Sequence, residues 1–155
     1  VGADDSIQPS RAWGLGFRAL YRVLGWLDPV LRLWWLGYGL GNVVQVTIAG
    51  RRTGLPRRTL LGLLRSEGAW YLGHPNGPAH WTRNVDAAGG RLLLTWSGQA
   101  VVAFQAVPLP RGPERDHAIE ATGQHPFPGN VIYRLGRRHV RAVGRYYRLE
   151  LAEVD

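Results

Sequence analysis

A mainly β fold is what the chain predicts: a small barrel of about six mostly antiparallel strands, with peripheral helices and a helical amino-terminal extension. Three observations carry it. From Asn42 onward, short runs rich in β-branched and aromatic residues recur between turn-forming residues. The first forty residues instead repeat their apolar positions every three or four. Helical patterns then interrupt the strands rather than alternating with them regularly, which favours an antiparallel sheet over a parallel one.

Taken in order, Trp13, Phe17, Leu20, Tyr21, Leu24 and Leu27 fall on one side of an amphipathic helix, with Arg11, Arg18 and Arg22 mostly on the other. Asp28 followed by Pro29 fits an N-cap and first helical position, predicting a second short helix that stops near Gly37 and gives way to a glycine loop. "NVVQVTI", "RRTLLGLLRS" and "AWYLGH" read as three strands of a meander, joined by "AGRRTGLP" and "SEG". A helix is expected from Pro78 to Ala88, then the strand "RLLLTWS", a turn at Ser97 and Gly98, and the strand "QAVVAFQAVPL". "PRGPERDHAIEATG" gives a loop and a helix, and "HPFPGNVIYRLGRRH" gives a Pro-rich lead and another short helix. "VRAVGRYYRLELAEV" alternates as a long last strand. The division expected is an extension over residues 1–41 and a barrel over 42–155.

With 155 residues and 45% hydrophobic content, one domain can bury a core without covalent staples. The formal charge is +8, and all 19 basic residues are arginine. The guanidinium fork suits phosphate and carboxylate, so anionic partners are favoured. Absence of cysteine excludes disulfides, thiolate metal sites and cysteine nucleophiles. The polar start "VGADDSIQPS" does not resemble a signal peptide, and glycines together with Asn42 and Gln45 interrupt the apolar run that follows Arg32. A cytoplasmic protein is expected. The basic, Trp-bearing lead suits docking on the domain's own core, or peripheral attachment to the inner membrane face through Trp13, Trp26, Trp34 and Trp35.

Several formal motifs carry no chemistry. Gly14, Gly16 and Ala19 match a dinucleotide fingerprint but lack the preceding strand, and Gly50 and Gly54 lack the Lys of a phosphate loop. The five histidines are not spaced as paired metal ligands, and no serine sits in a nucleophile elbow. Nucleic acid is not expected as a partner, since no aromatic stacking strip accompanies the arginines; the rival reading from another class is a non-enzymatic binding module that uses its basic surface for nucleic acid or a membrane. The stretch "AGRRTGLPRR" sets four arginines around a Gly-Leu-Pro turn. Its residues alone leave two readings open, a solvated hairpin tip and a clamp for an anion.

"GRRTGLPRRTLL", followed about twenty residues later by "HWTRNV", resembles the signature of the deazaflavin-dependent nitroreductase family. The resemblance implies a split β-barrel oxidoreductase that uses coenzyme F-420, an 8-hydroxy-5-deazaflavin, to reduce a quinone, enone or nitroaromatic acceptor. The alternative cofactors within this barrel class are flavin mononucleotide (FMN) and haem. By position, Arg51, Arg52, Thr53 and Arg57, around the turn at Gly54, would hold the coenzyme's phospholactyl and glutamate part. Thr59 and Leu60 would border the ring, Leu72, Gly73 and His74 would approach it, and Trp81 would pack beside it. Arg58 stands at a variable position, and Asn84 would order the loop. His74 and Tyr133 are the candidate proton donors; His125, Phe127 and His139 share the segment of Tyr133, where relatives carry several tyrosines. A homodimer would also be in keeping with this class.

Overall fold

The structure, a computed structural model, describes residues 8–38, 41–97, 101–125 and 127–153. The glycine loop expected at Gly39, the turn at Gly98 and the first residues of the fifth expected strand, Gln99 and Ala100, lie outside these. Helix α1 (Arg11–Tyr38) leads into β1 (Val43–Ala49), β2 (Pro56–Gly62), β3 (Leu64–Ser66) and β4 (Ala69–His74). Helix α2 (His80–Ala87), β5 (Arg91–Thr95) and β6 (Val101–Pro108) follow. Helices α3 (Pro113–Glu120), α4 (Gly129–Leu135) and α5 (Arg137–Val143) precede β7 (Arg145–Leu151).

The sheet runs β2-β1-β5-β6-β7-β4-β3, with every neighbour antiparallel. Its two outermost strands, β2 and β3, are consecutive in the chain with only Leu63 between them. The expected strand "RRTLLGLLRS" is therefore one bent run that pairs with β1 by its first half and with β4 by its second, joining the ring through the chain itself. Asn42 holds the bend: its carbonyl accepts the Leu63 N–H at 2.8 Å, and its Nδ2 donates to the Leu63 carbonyl at 3.1 Å. Counted this way the barrel has six strands.

Alternation places Val44, Val46 and Ile48 of β1, Leu92 and Leu94 of β5, and Leu72 of β4 in one buried cluster with Trp81, Val85, Phe104, Tyr147 and Leu149. The other face of β3, β4 and β7 supplies Leu64, Tyr71 and Tyr146, which pack with Phe17, Ile119, Tyr133 and Val140 of the helices. The "SEG" turn is a two-residue hairpin in which Glu67 and Gly68 both take positive φ, 49° and 79°. That geometry matches the twist of its strands.

Two expectations are corrected. The amino-terminal helices are one 28-residue helix with Pro29 inside it. Proline presses on the carbonyl four residues earlier; that residue is Gly25, beside which an added Cβ would meet nothing, so the backbone there can tilt into open space. Asp28 caps nothing and instead accepts from Arg32 Nε at 2.5 Å, one turn along. The last strand begins at Arg145, not Val140, because residues 140–143 belong to α5, where Val140 and Ala142 are buried and Gly144 ends the helix.

Gly73 has no room for a side chain: an added Cβ would lie 2.3 Å from Cε1 of the fully buried Tyr146. Gly73→Ala is expected to destabilise the fold by about 1–3 kcal/mol through overpacking, measured as a lowered urea midpoint. An unchanged midpoint would contradict this packing.

Candidate functional site

The turn after β1 is closed by its own backbone: Gly50 N–H donates to the Leu55 carbonyl at 2.9 Å, and Gly54 N–H to the Gly50 carbonyl at 2.7 Å. Thr53 Oγ1 accepts from Leu55 N–H at 3.3 Å. Pro56, lacking an N–H, opens the strand. The arginines on either side are thus carried by a fixed loop.

Opposite stands α2. Pro78 leads into it, and Thr82 Oγ1 accepts the Ala79 N–H at 2.8 Å, satisfying a donor at the helix start. Asp86 fastens the helix to β7 by accepting from Tyr147 Oη and Arg145 Nη2, both at 2.9 Å. Trp81 and Val85 then face the barrel core while Asn84 faces the turn. Asn84 Oδ1 accepts from Arg51 Nη1 at 3.0 Å and from Arg51 N at 3.3 Å. Asn84 orders the loop, as its position suggests.

Between these elements lies a cleft of about 920 Å³. Arg51, Arg52, Thr53, Arg57, Arg58 and Thr59 line one side, His74, Trp81 and Ile48 the interior, and His80 and Asn84 of α2 the flank. Phe17, Arg18, Tyr21 and Arg22 of α1 complete the wall. Six guanidinium groups therefore meet in one cavity whose lining contains no carboxylate. Among the described acids, all but Glu153 pair with Arg or His elsewhere. Arginine there faces no intramolecular counter-charge, which makes the cavity a place for anions.

The cavity's interior is apolar. His74 is 8% exposed, its ring 4.7 Å from that of Tyr21 and 6.3 Å from that of Trp81 between centroids. Burial lowers its pKa from 6.5 to about 4, so the imidazole is neutral at pH 7. His74 Nδ1 and Trp81 Nε1 are buried without a hydrogen-bond partner among the described residues. Buried polar atoms left unbonded are costly, and these two border a cavity.

The expected site residues separate into two groups. Arg51, Arg52, Thr53, Arg57, Thr59, His74 and Trp81 line one cleft, and Arg58, set aside on sequence, joins them. Gly54 shapes the turn at φ 70° without lining the cavity. Leu60 is absent from the lining, Leu72 is wholly buried in the barrel core, and Gly73 faces Tyr146. Tyr133 stands behind Tyr21, its hydroxyl 2.9 Å from the Tyr21 hydroxyl, and does not line the cleft.

Nor do the other candidates of that segment. His125 packs on the Tyr133 ring at 5.0 Å, Phe127 is 79% exposed, and His139 accepts from Ser10 N–H and bonds Asn76 Oδ1 at 2.7 Å. Sequence reasoning missed Arg18, Tyr21 and Arg22. Tyr21 reads as part of the apolar strip and Arg18 and Arg22 as part of the solvated side, and only their spacing of three and four along the helix, which makes them neighbours at the border of the two, could have joined them.

No family model and no curated sequence matches the chain. Solved structures do resemble it. An F420-H2 dependent reductase, FDR-A, is 19% identical over 70% of this chain and 94% of its own, with a TM-score of 0.51. A protein described as a domain-swapped dimer is 18% identical over 85% and 99%, with a TM-score of 0.53. HutZ, a haem storage protein from Vibrio cholerae, is 13% identical over 83% and 92%, with a TM-score of 0.51. At these identities the likeness is one of fold, a mainly β split barrel with helices.

Because His74 is held below its ordinary pKa, the unfolded chain takes up its proton first as the pH falls. The stability due to this group is complete above pH 6.5 and is lost toward pH 4, by roughly 3 kcal/mol in all. In urea titrations at pH 7 and about 4.5, His74→Leu should show a flatter pH dependence than the wild type. Equal slopes would place the imidazole in water.

Proposed function

We propose that the protein is an oxidoreductase that binds reduced coenzyme F-420 in the arginine-lined cleft and delivers a hydride to a quinone, enone or nitroaromatic acceptor. The observation that carries this reading is the meeting of six arginines, without a carboxylate, at the edge of an aromatic interior. Guanidinium groups suit the phosphate and carboxylates of the coenzyme tail, and the interior formed by Ile48, Tyr21, His74 and Trp81 suits a planar ring. The motif "GRRTGLPRR" and the fold shared with an F420-H2 dependent reductase support the same choice.

In this reading Arg51, Arg52, Thr53 and Arg57 hold the tail, with Arg58 added from its place in the cleft. Arg51 enters already oriented by Asn84, so less side-chain freedom is lost on binding. Thr59 and Trp81 border the ring, Gly54 fixes the turn, and Leu60, Leu72 and Gly73 act from behind as packing. When bound, the coenzyme supplies the hydride from ring carbon C5. The residues around it exclude water and fix orientation.

For the proton that completes the reduction, Tyr21 stands nearer the cavity than Tyr133. Burial raises the pKa of both phenols, so both keep their protons at neutral pH. When Tyr133 donates to the Tyr21 oxygen, the Tyr21 hydrogen is left to bond an acceptor carbonyl or nitro oxygen. His74, neutral, offers a second N–H.

A titration of the purified protein with F-420, FMN and haem tests the coenzyme. F-420 should bind in the micromolar range, and Arg57→Ala should weaken it about tenfold or more, the loss of a charge-assisted bond. Tyr21→Phe should slow acceptor reduction while leaving this affinity unchanged. Tighter binding of FMN or haem, or of none of the three, would overturn the assignment.

We also propose that α1 rests on an anionic bilayer surface. Leu15, Val23, Trp26, Leu27, Val30, Leu33 and Trp34 are exposed, Trp26 by 88%. At about 100° per residue they fall within about a third of the helix circumference, bordered by Arg11, Arg18 and Arg22. Trp13 and Trp35, expected as anchors, are taken up by the fold: Trp13 packs on Phe17 and Trp35 donates to the Val43 carbonyl at 2.9 Å. No described helix is long and apolar enough to cross a membrane. The protein should sediment with vesicles containing phosphatidylglycerol and less with neutral ones, and Trp26→Ser with Leu33→Ser should abolish this. Undiminished pelleting of the variant, or a wild-type dimer in solution that the variant breaks, would assign the face otherwise.

A further inference from the structure

The barrel has a second mouth. Val43 and Val44 open β1 at one end, whereas Ile48 and Gly50 border the arginine-lined cleft, about 13 Å further along the strand at the usual rise per residue. Val46 and Leu94, paired across β1 and β5 and wholly buried, lie between the two ends. At the far end is a cavity of about 320 Å³, walled by Asn42, Val43, Val44, Leu63, Arg65 and Trp96, and it shares no residue with the first. Its size suits a small ring compound, and barrel mouths are common places for such ligands.

The walls differ in chemistry. Val43, Val44 and Leu63 are apolar, and Trp96 adds an aromatic ring held edge-on against Trp70, with centroids 5.5 Å apart. Asn42 supplies an acceptor. Its Nδ2 is spent on the Leu63 carbonyl and lies 3.4 Å from His125 Nδ1, while its Oδ1 is buried without a partner among the described residues. An acceptor left in this way costs free energy that a ligand N–H or O–H would offset.

Arg65 supplies a cation. Gln124 holds its backbone, Oε1 accepting the Arg65 N–H at 2.9 Å and Nε2 donating to the Arg65 carbonyl. The guanidinium carbon lies 5.4 Å from the centre of the Trp70 ring, and no carboxylate pairs with it among the described residues. The residue is exposed as well as lining the cavity, and its fork of donors matches a planar carboxylate.

We propose that this cavity is a binding site for small aromatic carboxylic acids that carry a hydroxyl or amino group. The ring packs on Trp96, the carboxylate meets Arg65, and the hydroxyl or amino hydrogen goes to Asn42 Oδ1. The site does not rest on the coenzyme reading and stands whatever fills the arginine-lined cleft. Asn42 then has two tasks, its amide nitrogen fixing the bend and its oxygen reading the ligand.

The test is a heteronuclear NMR titration with para-hydroxybenzoate, followed at the indole N–H signals of Trp96 and Trp81, which report on the two cavities separately. The Trp96 signal should move with submillimolar affinity. Benzoate, without the donor, and para-hydroxybenzyl alcohol, without the carboxylate, should each bind there about threefold or more weakly. Arg65→Gln should weaken para-hydroxybenzoate by a similar factor at Trp96 and leave the alcohol unchanged, whereas Arg57→Ala should change neither. Asn42→Ala should bind para-hydroxybenzoate and benzoate alike; if its thermal melt shows that the bend is lost, Arg65→Gln decides alone. Movement of the Trp81 signal alone, equal affinity of the three probes at Trp96, or an Arg65→Gln variant that keeps wild-type affinity would overturn the site.

Discussion

The bent strand from Pro56 to Ser66 is the constraint on which the rest depends. A sheet edge exposes a row of unpaired backbone groups, and this run gives each edge of the sheet to the same piece of chain. Its first half carries Arg57, Arg58 and Thr59 beside β1, and its second half aligns β4, which ends at His74. The charged turn and the neutral imidazole consequently border one cleft. Asn42, bonded twice to Leu63, keeps the bend where it is.

The distribution of charge follows from the same frame. A chain of net charge +8 has too few acids to neutralise its arginines, and the fold places several of the described acids at joints between elements. Asp86 ties α2 to β7, Glu114 ties α3 to β7, and Asp116 ties α3 to α5. The arginines left over gather in part where an external anion can reach them. The Arg111 and Arg115 guanidinium groups, by contrast, bond carbonyls of α5 and of Gly144 and serve only the fold.

Much of this was legible in the sequence because it is local. Val44, Val46 and Ile48 alternate as a strand must, Glu67 and Gly68 spell a hairpin turn, and Arg51 to Arg58 surround turn residues. Two errors have the same origin, a local rule overruled by packing. Pro29 reads as a helix start, yet Gly25 and the continued docking of Trp35 carry the helix through it. Val140 and Ala142 read as alternation, yet both are buried from a short helix that Gly144 ends. The site beyond the turn was hidden because its parts are distant in sequence. Tyr21 and Tyr133 share a hydrogen bond across 112 positions, and no periodicity in either segment announces the other. The turn arginines, once equally a wetted tip or a clamp, gained their context only when α1 supplied the facing wall.

Helix α1 has three sides, one docked on the barrel, one apolar and open, one basic toward the cleft. Since hydrogen bonds hold it near both ends, it behaves as a stiff beam rather than a hinged flap. The helix that exposes Trp26 and Leu33 is thus the same one that carries Tyr21 above His74, so that the open face and the cleft wall are two sides of one element.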